Sequence, residues 1–281
     1  MTGKGPINQN QKIKRVLPLA LVALLIPQEP DFKKQLVMSN LLFYSEPIPL
    51  NKDSHRTLAV VRKGGDYRFA AKTNSVLLTG LEFIEACKEY PIVFAKTPND
   101  SLVPVAVVGL SAGGNLFIDH EGRWRARYIP AYVRRYPFVL AETGEKKKFT
   151  VCVDRGALDE QNGERLFDDQ GKETPYLAEA MAFMQQYQAQ NLHAESFVKH
   201  LKLLDLLTEM SAKTVLKDQT GLLLQGFFVI DEKKLLKLER SKMQALMKTG
   251  ELGWIYAHLI SLSNFAGLVD RLAERRASVG V

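Results

Sequence analysis

The sequence predicts an α+β fold with a β-rich amino-terminal part and a mainly helical carboxy-terminal part. Short apolar segments bounded by Gly, Pro, Asn and Asp fill residues 41–171, which is the pattern of strands and turns. From Thr174 onward, apolar residues instead recur at the three- and four-residue spacing of helices. Hydrophobic residues occupy 46% of the 281 positions, so the chain can bury one large core or two closely packed ones.

The first element is a leader over residues 1–37, in which basic residues up to Arg15 precede the apolar run Val16–Ile26. Three interpretations stay open: a secretory signal, a buried leader segment, or an upstream extension of a protein that starts at Met38. The run is too short to span a bilayer as a helix, and the chain contains no other run that is long enough. We therefore predict no transmembrane span.

The β-rich part, residues 38–171, contains an internal repeat. The octet Tyr90–Thr97 (YPIVFAKT) matches Tyr136–Thr143 (YPFVLAET), and each octet follows a short helical stretch. Thr79 and Glu82 give the first stretch a capping box, and Pro130 suits the first turn of the second stretch.

Each octet is followed by an apolar strand and a closing turn, and these also match. The strands are Pro104–Leu110 and Phe149–Asp154, and the closing segments are Asn115–Asp119 and Arg165–Asp169. The matches predict a duplicated helix–strand–hairpin unit over about residues 79–122 and 130–171.

The helical part covers residues 172–281. Its first helix begins at the cap Thr174–Pro175 and continues, through apolar residues on one face, to about Met210. The apolar stretch Gly221–Ile230 predicts one buried strand. Two helices follow, Asp231–Lys248 and Leu252–Arg276, joined at Gly250.

Motifs for phosphate, dinucleotide or metalloprotease chemistry do not occur in the sequence. The letters of a hydrolase elbow occur at Gly109–Gly113, but hairpin residues rather than a helix follow them. Acidic pairs such as Asp168 and Asp169 lie in glycine turns, where turn chemistry accounts for them. We predict no catalytic residue, no metal ligand and no cofactor.

The most unusual segment is residues 122–137, where five arginines alternate with one Trp and three Tyr. Guanidinium and aromatic faces together can bind a nucleic acid, a glycan or another anionic ligand, and the formal net charge of +7 suits such a partner. The alternation equally describes a strand with Arg outside and Trp inside, so a structural interpretation stays open. The candidate binding residues are Arg123, Trp124, Arg125, Arg127, Tyr132, Arg134 and Arg135.

Several blocks along the chain recur, in the same order, in a known family. The blocks are Phe69–Val76, Tyr90–Phe94, Leu116–Asp119 with Gly122–Trp124, and Ile129–Phe138, with Pro47–Asn51 before them and Tyr256–Leu259 after them. They resemble the bacterial SapC family over about residues 41–270. The resemblance implies an accessory role, because the family is named after surface-layer-associated proteins and occurs beside genes for outer-membrane receptors and halogenase-like proteins. It supplies no established catalytic residues.

The resemblance favours a non-enzymatic accessory or binding protein with a protein partner in the cell-envelope or nutrient-uptake system of a Gram-negative bacterium. The first alternative is an enzyme of unrecognised type, with a pocket near residues 123–136 and an acidic turn such as Asp119. The second alternative is a nucleic-acid binder that uses the same arginines. We expect a cytoplasmic protein, with export or surface association as the other possibility.

Overall fold

The computed structural model describes residues 36–37, 42–61, 64–110, 114–143, 148–215 and 221–279. The strands in these residues are β1 (Leu36–Val37), β2 (Pro47–Pro49), β3 (Ala59–Val60), β4 (Ser75–Leu77), β5 (Ile92–Lys96), β6 (Leu102–Val107), β7 (Phe138–Thr143), β8 (Lys148–Asp154), β9 (Leu158–Asp159), β10 (Glu164–Arg165), β11 (Leu207–Val215) and β12 (Gly221–Ile230). The α-helices are α1 (Phe83–Ala86), α2 (Ala131–Arg134), α3 (Pro175–Leu203), α4 (Glu232–Leu235), α5 (Arg240–Thr249), α6 (Glu251–Ser261) and α7 (Phe265–Val279). The predicted α+β class is confirmed.

A five-stranded antiparallel sheet in the order β11-β12-β5-β6-β4 forms the centre of the molecule. β5 pairs with β6, where Ile92 is opposite Ala106, and with β12, where Phe94 is opposite Phe228. Elements cover both faces of β5, so Ile92 and Phe94 are fully buried and Val93 nearly so. This explains the uninterrupted apolar run in the first octet.

A second antiparallel sheet, in the order β1-β7-β8-β2, is built on the β7–β8 hairpin. A small third sheet has the order β10-β3-β9. Val60 of β3, Phe138 of β7 and Leu177 of α3 belong to one buried cluster, so α3 packs over both sheets.

The amino end of α3 was predicted correctly and its carboxyl end was not. The Thr174 Oγ1 accepts a hydrogen bond from the Leu177 N–H (3.4 Å), and Pro175 occupies the first turn. The helix ends at Leu203 because Asp205 adopts φ +53° and the Leu206 N–H donates to the Leu201 carbonyl (3.0 Å). This is a Schellman ending with Asp in place of the usual Gly, so the sequence gives no strong stop signal.

Met210, predicted at the end of a helix, therefore lies in a strand. It belongs to β11, where it pairs with Phe227 of β12. The strand predicted at Gly221–Ile230 is confirmed as β12. The prediction of one strand in the helical part was nevertheless wrong, because β11 and β12 form a hairpin that extends the central sheet.

The last helices follow the predicted order, but each of the two predicted helices has an additional break, and the second break is a 3₁₀ turn at Leu262–Asn264 between α6 and α7. The single helix predicted over Asp231–Lys248 is two helices, α4 and α5, and the Asp231 carboxylate caps α4 by accepting from the Lys233 N–H (2.9 Å). Gly250 ends α5 with φ +78°, as its position between two helices predicts.

The two proposed repeat units contain the same local elements in the same order. The first unit consists of α1, Tyr90 and the β5–β6 pair. The second unit consists of α2, Tyr136 and the β7–β8 pair. The units belong to different sheets. Their origin by duplication stays a prediction.

The helical stretch Glu251–Ser278 corrects the prediction that no segment is long and apolar enough to cross a membrane. By length and composition it could do so, with a mean hydropathy of 1.3 over its most apolar window and 28% of that window buried. Ile255, His258 and Ser261 of α6 are nonetheless fully buried against the protein core, and core helices also satisfy this criterion.

Candidate functional site

A cavity of about 790 Å³ lies where the turn at residues 64–69 meets α2, the start of β7 and the first turns of α3. The described residues that line it include Gly64, Gly65, Asp66, Tyr67, Arg68, Phe69, Arg134, Arg135, Tyr136, Tyr176, Glu179, Ala180 and Phe183. Its volume is in the range of small-molecule sites. It is the candidate site because two of the predicted binding residues, Arg134 and Arg135, are in its wall.

Aromatic rings form much of the wall. The Phe69 and Tyr136 rings stack with centroids 4.2 Å apart, which joins the turn at 64–69 to the second octet. The Tyr136 hydroxyl donates to the buried Asp154 carboxylate (3.0 Å), and that carboxylate also accepts from the Ser45 and Glu46 N–H groups. The Tyr136 ring is therefore held in one position, as a rigid binding wall requires.

Arg135 is a buried cation held by three tyrosines. Its side chain is 8% exposed, and its guanidinium carbon lies 3.9 Å from the ring centre of Tyr132, 5.1 Å from that of Tyr187 and 5.8 Å from that of Tyr44. Cation–π attraction of this kind strengthens when the cation is removed from water.

The tyrosine cage leaves the charge of Arg135 uncompensated. Burial raises the pKa of Tyr44 and of Tyr187 far above the usual value, so both are neutral hydroxyls. Among the described residues, no carboxylate forms an ion pair with Arg135, and its Nε and Nη2 have no hydrogen-bond acceptor. Buried cations are ordinarily paired, so this one is exceptional.

The other charged groups of the wall differ from Arg135 because they have partners or face solvent. Arg68 binds the Asp66 carboxylate through Nε, which donates to both oxygens (2.9 and 3.1 Å), and through Nη2 (2.6 Å). Arg134 is exposed; its Nε donates to the Ile129 carbonyl (3.0 Å) and its guanidinium lies over the Phe183 ring. Glu179 is an exposed carboxylate of α3.

The remaining predicted residues lie away from the cavity wall. Arg123 binds Asp119 (3.0 Å) and also Glu121, and Arg125 Nε is 3.7 Å from the same Asp119 carboxylate. Although partial desolvation opposes it, hydrogen bonds from Arg123 and Glu121 lower the Asp119 pKa. Asp119 is therefore an ion-paired turn residue, and nothing in this geometry prepares it for acid catalysis.

Trp124, Arg127 and Tyr132 complete the predicted set. Trp124 is buried, donates to the Tyr90 hydroxyl (2.9 Å) and stacks on Phe117. Arg127 is exposed, and its backbone N–H donates to Glu89. Tyr132 is fully buried beneath Arg135. The stretch is thus divided between an ion-paired turn, the core and the cavity.

Sequence reasoning missed most of the cavity wall. Tyr67, Phe69, Tyr176 and Phe183 come from two segments far from residues 123–136, and no local pattern links them. Phe69 belongs to a block that carried the family resemblance, which was the available signal. Residues 111–113, which contain the serine of the elbow-like letters, are outside the described part of the chain.

Of three comparisons with known proteins, one gives a match. The sequence matches the SapC family over residues 50–268, which is most of the chain. No curated protein and no solved structure matches it. The matched range contains all the candidate binding residues and the whole cavity wall.

Proposed function

The chain belongs to the SapC family, and from this premise we propose that it is a non-catalytic binding protein that holds a small organic molecule in the cavity. The observation that carries the proposal is the wall itself, where the stacked Phe69 and Tyr136 rings are found together with Arg135, a buried side chain that has no carboxylate partner among the described residues. Apolar walls with a few placed polar groups are typical of ligand sites.

The composition of the wall supports binding over catalysis. Its described residues include no Cys, His or Ser, and its two carboxylates are either paired, as Asp66 is with Arg68, or exposed, as Glu179 is. Acid–base and nucleophilic catalysis need such groups to converge on a reacting atom. This favours the binding hypothesis over the enzyme alternative.

The distribution of the arginines also disfavours the nucleic-acid alternative. Arg135 is buried, and Arg123 and Arg125 lie against Asp119. A phosphate backbone is bound by cations that face solvent along one surface. In the folded stretch one of the five arginines is buried and two are ion-paired, so only Arg127 and Arg134 are exposed without a carboxylate partner among the described residues.

The biological role that we propose is accessory. Ligand binding would support an envelope or uptake system through a protein partner, with the protein acting in the cytoplasm or, alternatively, at the surface after export. An affinity-tagged chain recovered from its host, with partners identified by mass spectrometry, tests this role. Recovery of an envelope or receptor protein supports it, and recovery of the chain alone contradicts it.

Occupancy of the cavity is tested on the same purified protein. Ala180→Trp places an indole in the wall, whereas Ala178→Trp puts the same side chain on an exposed position of the same helix. We expect denaturation to release a small molecule, detected by mass spectrometry, from the wild type and from Ala178→Trp. Denatured Ala180→Trp should release none. Equal recovery from all three proteins, or recovery from none, would contradict the proposal.

A further inference from the structure

A second concave surface lies between the β7–β8 hairpin and the middle turns of α3. We call it the α3 groove. Its volume is about 420 Å³, and the described residues that line it are Leu140, Phe149, Val151, Met181, Gln185, Gln188, Ala189 and Leu192. None of them is in the wall of the cavity proposed above as the binding site. The described lining is uncharged, since its only polar members are two glutamines.

The α3 groove is open because α3 covers only one end of the hairpin face. Alternate residues of a strand point to the same face. At the covered end, Phe138 pairs with Val153, and both are buried in one cluster with Leu177 of α3. Further along the same face Phe149 is 46% exposed, and Leu192 on the α3 side of the groove is 53% exposed. Two large apolar side chains of the groove are thus accessible to a binding partner.

The amino-terminal segment enters the described structure beside this groove. Val37 of β1 pairs with Glu142 of β7, and Glu142 pairs with Phe149 of β8, so the three backbones lie in one row across the sheet. Neighbouring strands are about 4.8 Å apart, which places the Val37 backbone roughly 10 Å from that of Phe149. Residues 1–35 are outside the described part of the chain. The chain that precedes β1 is therefore attached next to the exposed end of the groove.

The apolar run of the leader, Val16–Ile26, suits the groove in charge and in reach. It contains no charged residue, like the described lining of the groove. The segment Pro27–Gln35 connects the run to β1, and at about 3.3 Å per extended residue it can span up to roughly 30 Å. This exceeds the separation of roughly 10 Å between β1 and the exposed end of the groove. Such a connection holds the run near the groove at an effective concentration on the order of mM.

We propose that the apolar run Val16–Ile26 docks in the α3 groove of its own chain and covers it. The inference goes beyond the proposed function, because it concerns a different surface, and it selects the buried segment among the three interpretations of the leader. Docking removes the apolar run and the exposed side chains of the groove from water together. A second copy of the chain is a less suitable occupant, since it has no connection that keeps it beside the groove.

Thiol labelling of the full chain tests the docking. The background is Cys87→Ser, in which the remaining native thiol, Cys152, is buried. Gln185→Cys places a thiol in the groove, and Gln186→Cys places the same thiol at the next position of α3, exposed and outside the groove. We expect a maleimide to label Gln185→Cys at least 10-fold more slowly than Gln186→Cys, because the docked run shields the first thiol. Equal rates would overturn the inference.

Substitutions in the leader show whether the run is the shield. Leu21→Asp combined with Leu24→Asp should bring the labelling rate of Gln185→Cys to within 2-fold of that of Gln186→Cys, since burying carboxylates in an apolar groove is unfavourable. Asn8→Asp combined with Gln11→Asp adds the same charges at the same spacing before the run and should leave the protection unchanged. Protection that survives the first pair would come from the fold itself and would contradict docking.

A substitution in the groove should act from the other side of the contact. Leu192→Gln should also restore fast labelling of Gln185→Cys, whereas Leu203→Gln, at an 84% exposed position of α3 outside the groove, should not. An equal response to both substitutions would contradict a contact in the groove.

Protein concentration and the mass of the host protein complete the test. Protection by the run of the same chain should be equal at 1 and 100 times a given protein concentration, and protection at the higher concentration alone would assign the groove to a second copy. The intact mass of the protein from its host should include the run; a mass that corresponds to a start at Met38 would overturn the inference. None of these results affects the proposed binding function, because the groove and the cavity share no described lining residue.

Discussion

At the scale of single residues, two buried polar side chains tie distant segments together. The Glu82 carboxylate accepts hydrogen bonds from the Thr79 N–H (2.7 Å), the Tyr128 hydroxyl (2.8 Å) and the Ala131 N–H (2.7 Å). The first bond confirms the predicted capping role. The other two join the start of α1 to the start of α2, so a residue recognised as a local cap is also a tertiary contact.

Glu82→Ala should therefore destabilise the fold by about 3 kcal/mol, since it leaves three donors without an acceptor, two of them backbone N–H groups. Urea unfolding followed by circular dichroism measures the change. Glu85→Ala, on the same helix at an exposed position, should change the stability by less than about 0.5 kcal/mol. A similar loss in both variants would contradict the assigned role of Glu82.

His258 is the second such residue. Its Nε2 accepts from the Ile230 N–H (3.0 Å) and its Nδ1 donates to the Ile92 carbonyl (2.8 Å), so the neutral ring joins α6 to β12 and β5. Burial lowers its pKa to about 4. The folded state thus binds the proton less readily than the unfolded state does.

This pKa predicts loss of stability in acid. The stability that neutral His258 contributes is fully present above the unfolded-state pKa of histidine, about 6.5. It falls as the pH decreases toward the folded-state pKa of about 4, by about 3 kcal/mol in total. Urea unfolding at pH 7, 5.5 and 4.5 measures the slope. His258→Gln should be less stable at pH 7 and should show a smaller slope, whereas His120→Gln, at an exposed site, should keep the wild-type slope. Equal slopes in all three proteins would refute this role for His258.

At the scale of elements, close contact between α6 and the turn that precedes α1 depends on a glycine. A Cβ at Gly80 would lie only 2.7 Å from Cε3 of Trp254, and that ring also packs edge-on against Phe197. Gly253, also on α6, has open space around it. Gly80 and Gly253 should therefore respond oppositely to substitution.

Gly80→Ala should destabilise the protein by about 1–3 kcal/mol through the clash with Trp254. Gly253→Ala should stabilise it by roughly 0.5–1 kcal/mol, because alanine is the better helix former. Thermal unfolding measures both changes. In a double-mutant cycle, Trp254→Phe should recover part of the Gly80→Ala loss; additive effects would mean that the two side chains do not interact.

The elements that the sequence predicted correctly are those with strong local signals. The Thr174–Pro175 cap and the apolar β12 strand are examples. β11 was missed because its residues are mostly polar and because Asp205, which ends α3, adopts a left-handed conformation more typical of Gly. Pairing with β12 makes β11 a strand, which is a tertiary cause.

At the scale of the whole molecule, the candidate site is predicted by sequence only in part. The sequence identifies Arg134 and Arg135 as candidate binding residues because arginines and tyrosines are concentrated around them. Arg134 is exposed, whereas Arg135 is buried and has no carboxylate partner among the described residues. The burial of Arg135 depends on Tyr44 and Tyr187, which reach it from distant segments. The electrostatic character of the site is therefore a property of the fold.

The two halves of the chain share one core, which predicts how the protein unfolds. Strand β12 pairs with β5, and the main core contains Phe94 of the β-rich part together with Phe197 and Leu272 of the helical part. Separating the halves would expose these side chains and leave the edge of β5 without its partner.

We therefore expect one cooperative transition, with coincident curves by circular dichroism and tryptophan fluorescence, because Trp124 and Trp254 report on opposite halves. Fragments 42–171 and 172–281, expressed alone, should lack a folded near-ultraviolet spectrum and should regain it when mixed, if association restores the shared core. Two separate transitions, or a fragment that folds alone, would show that the halves are independent domains, and the shared core would then contribute little to their stability.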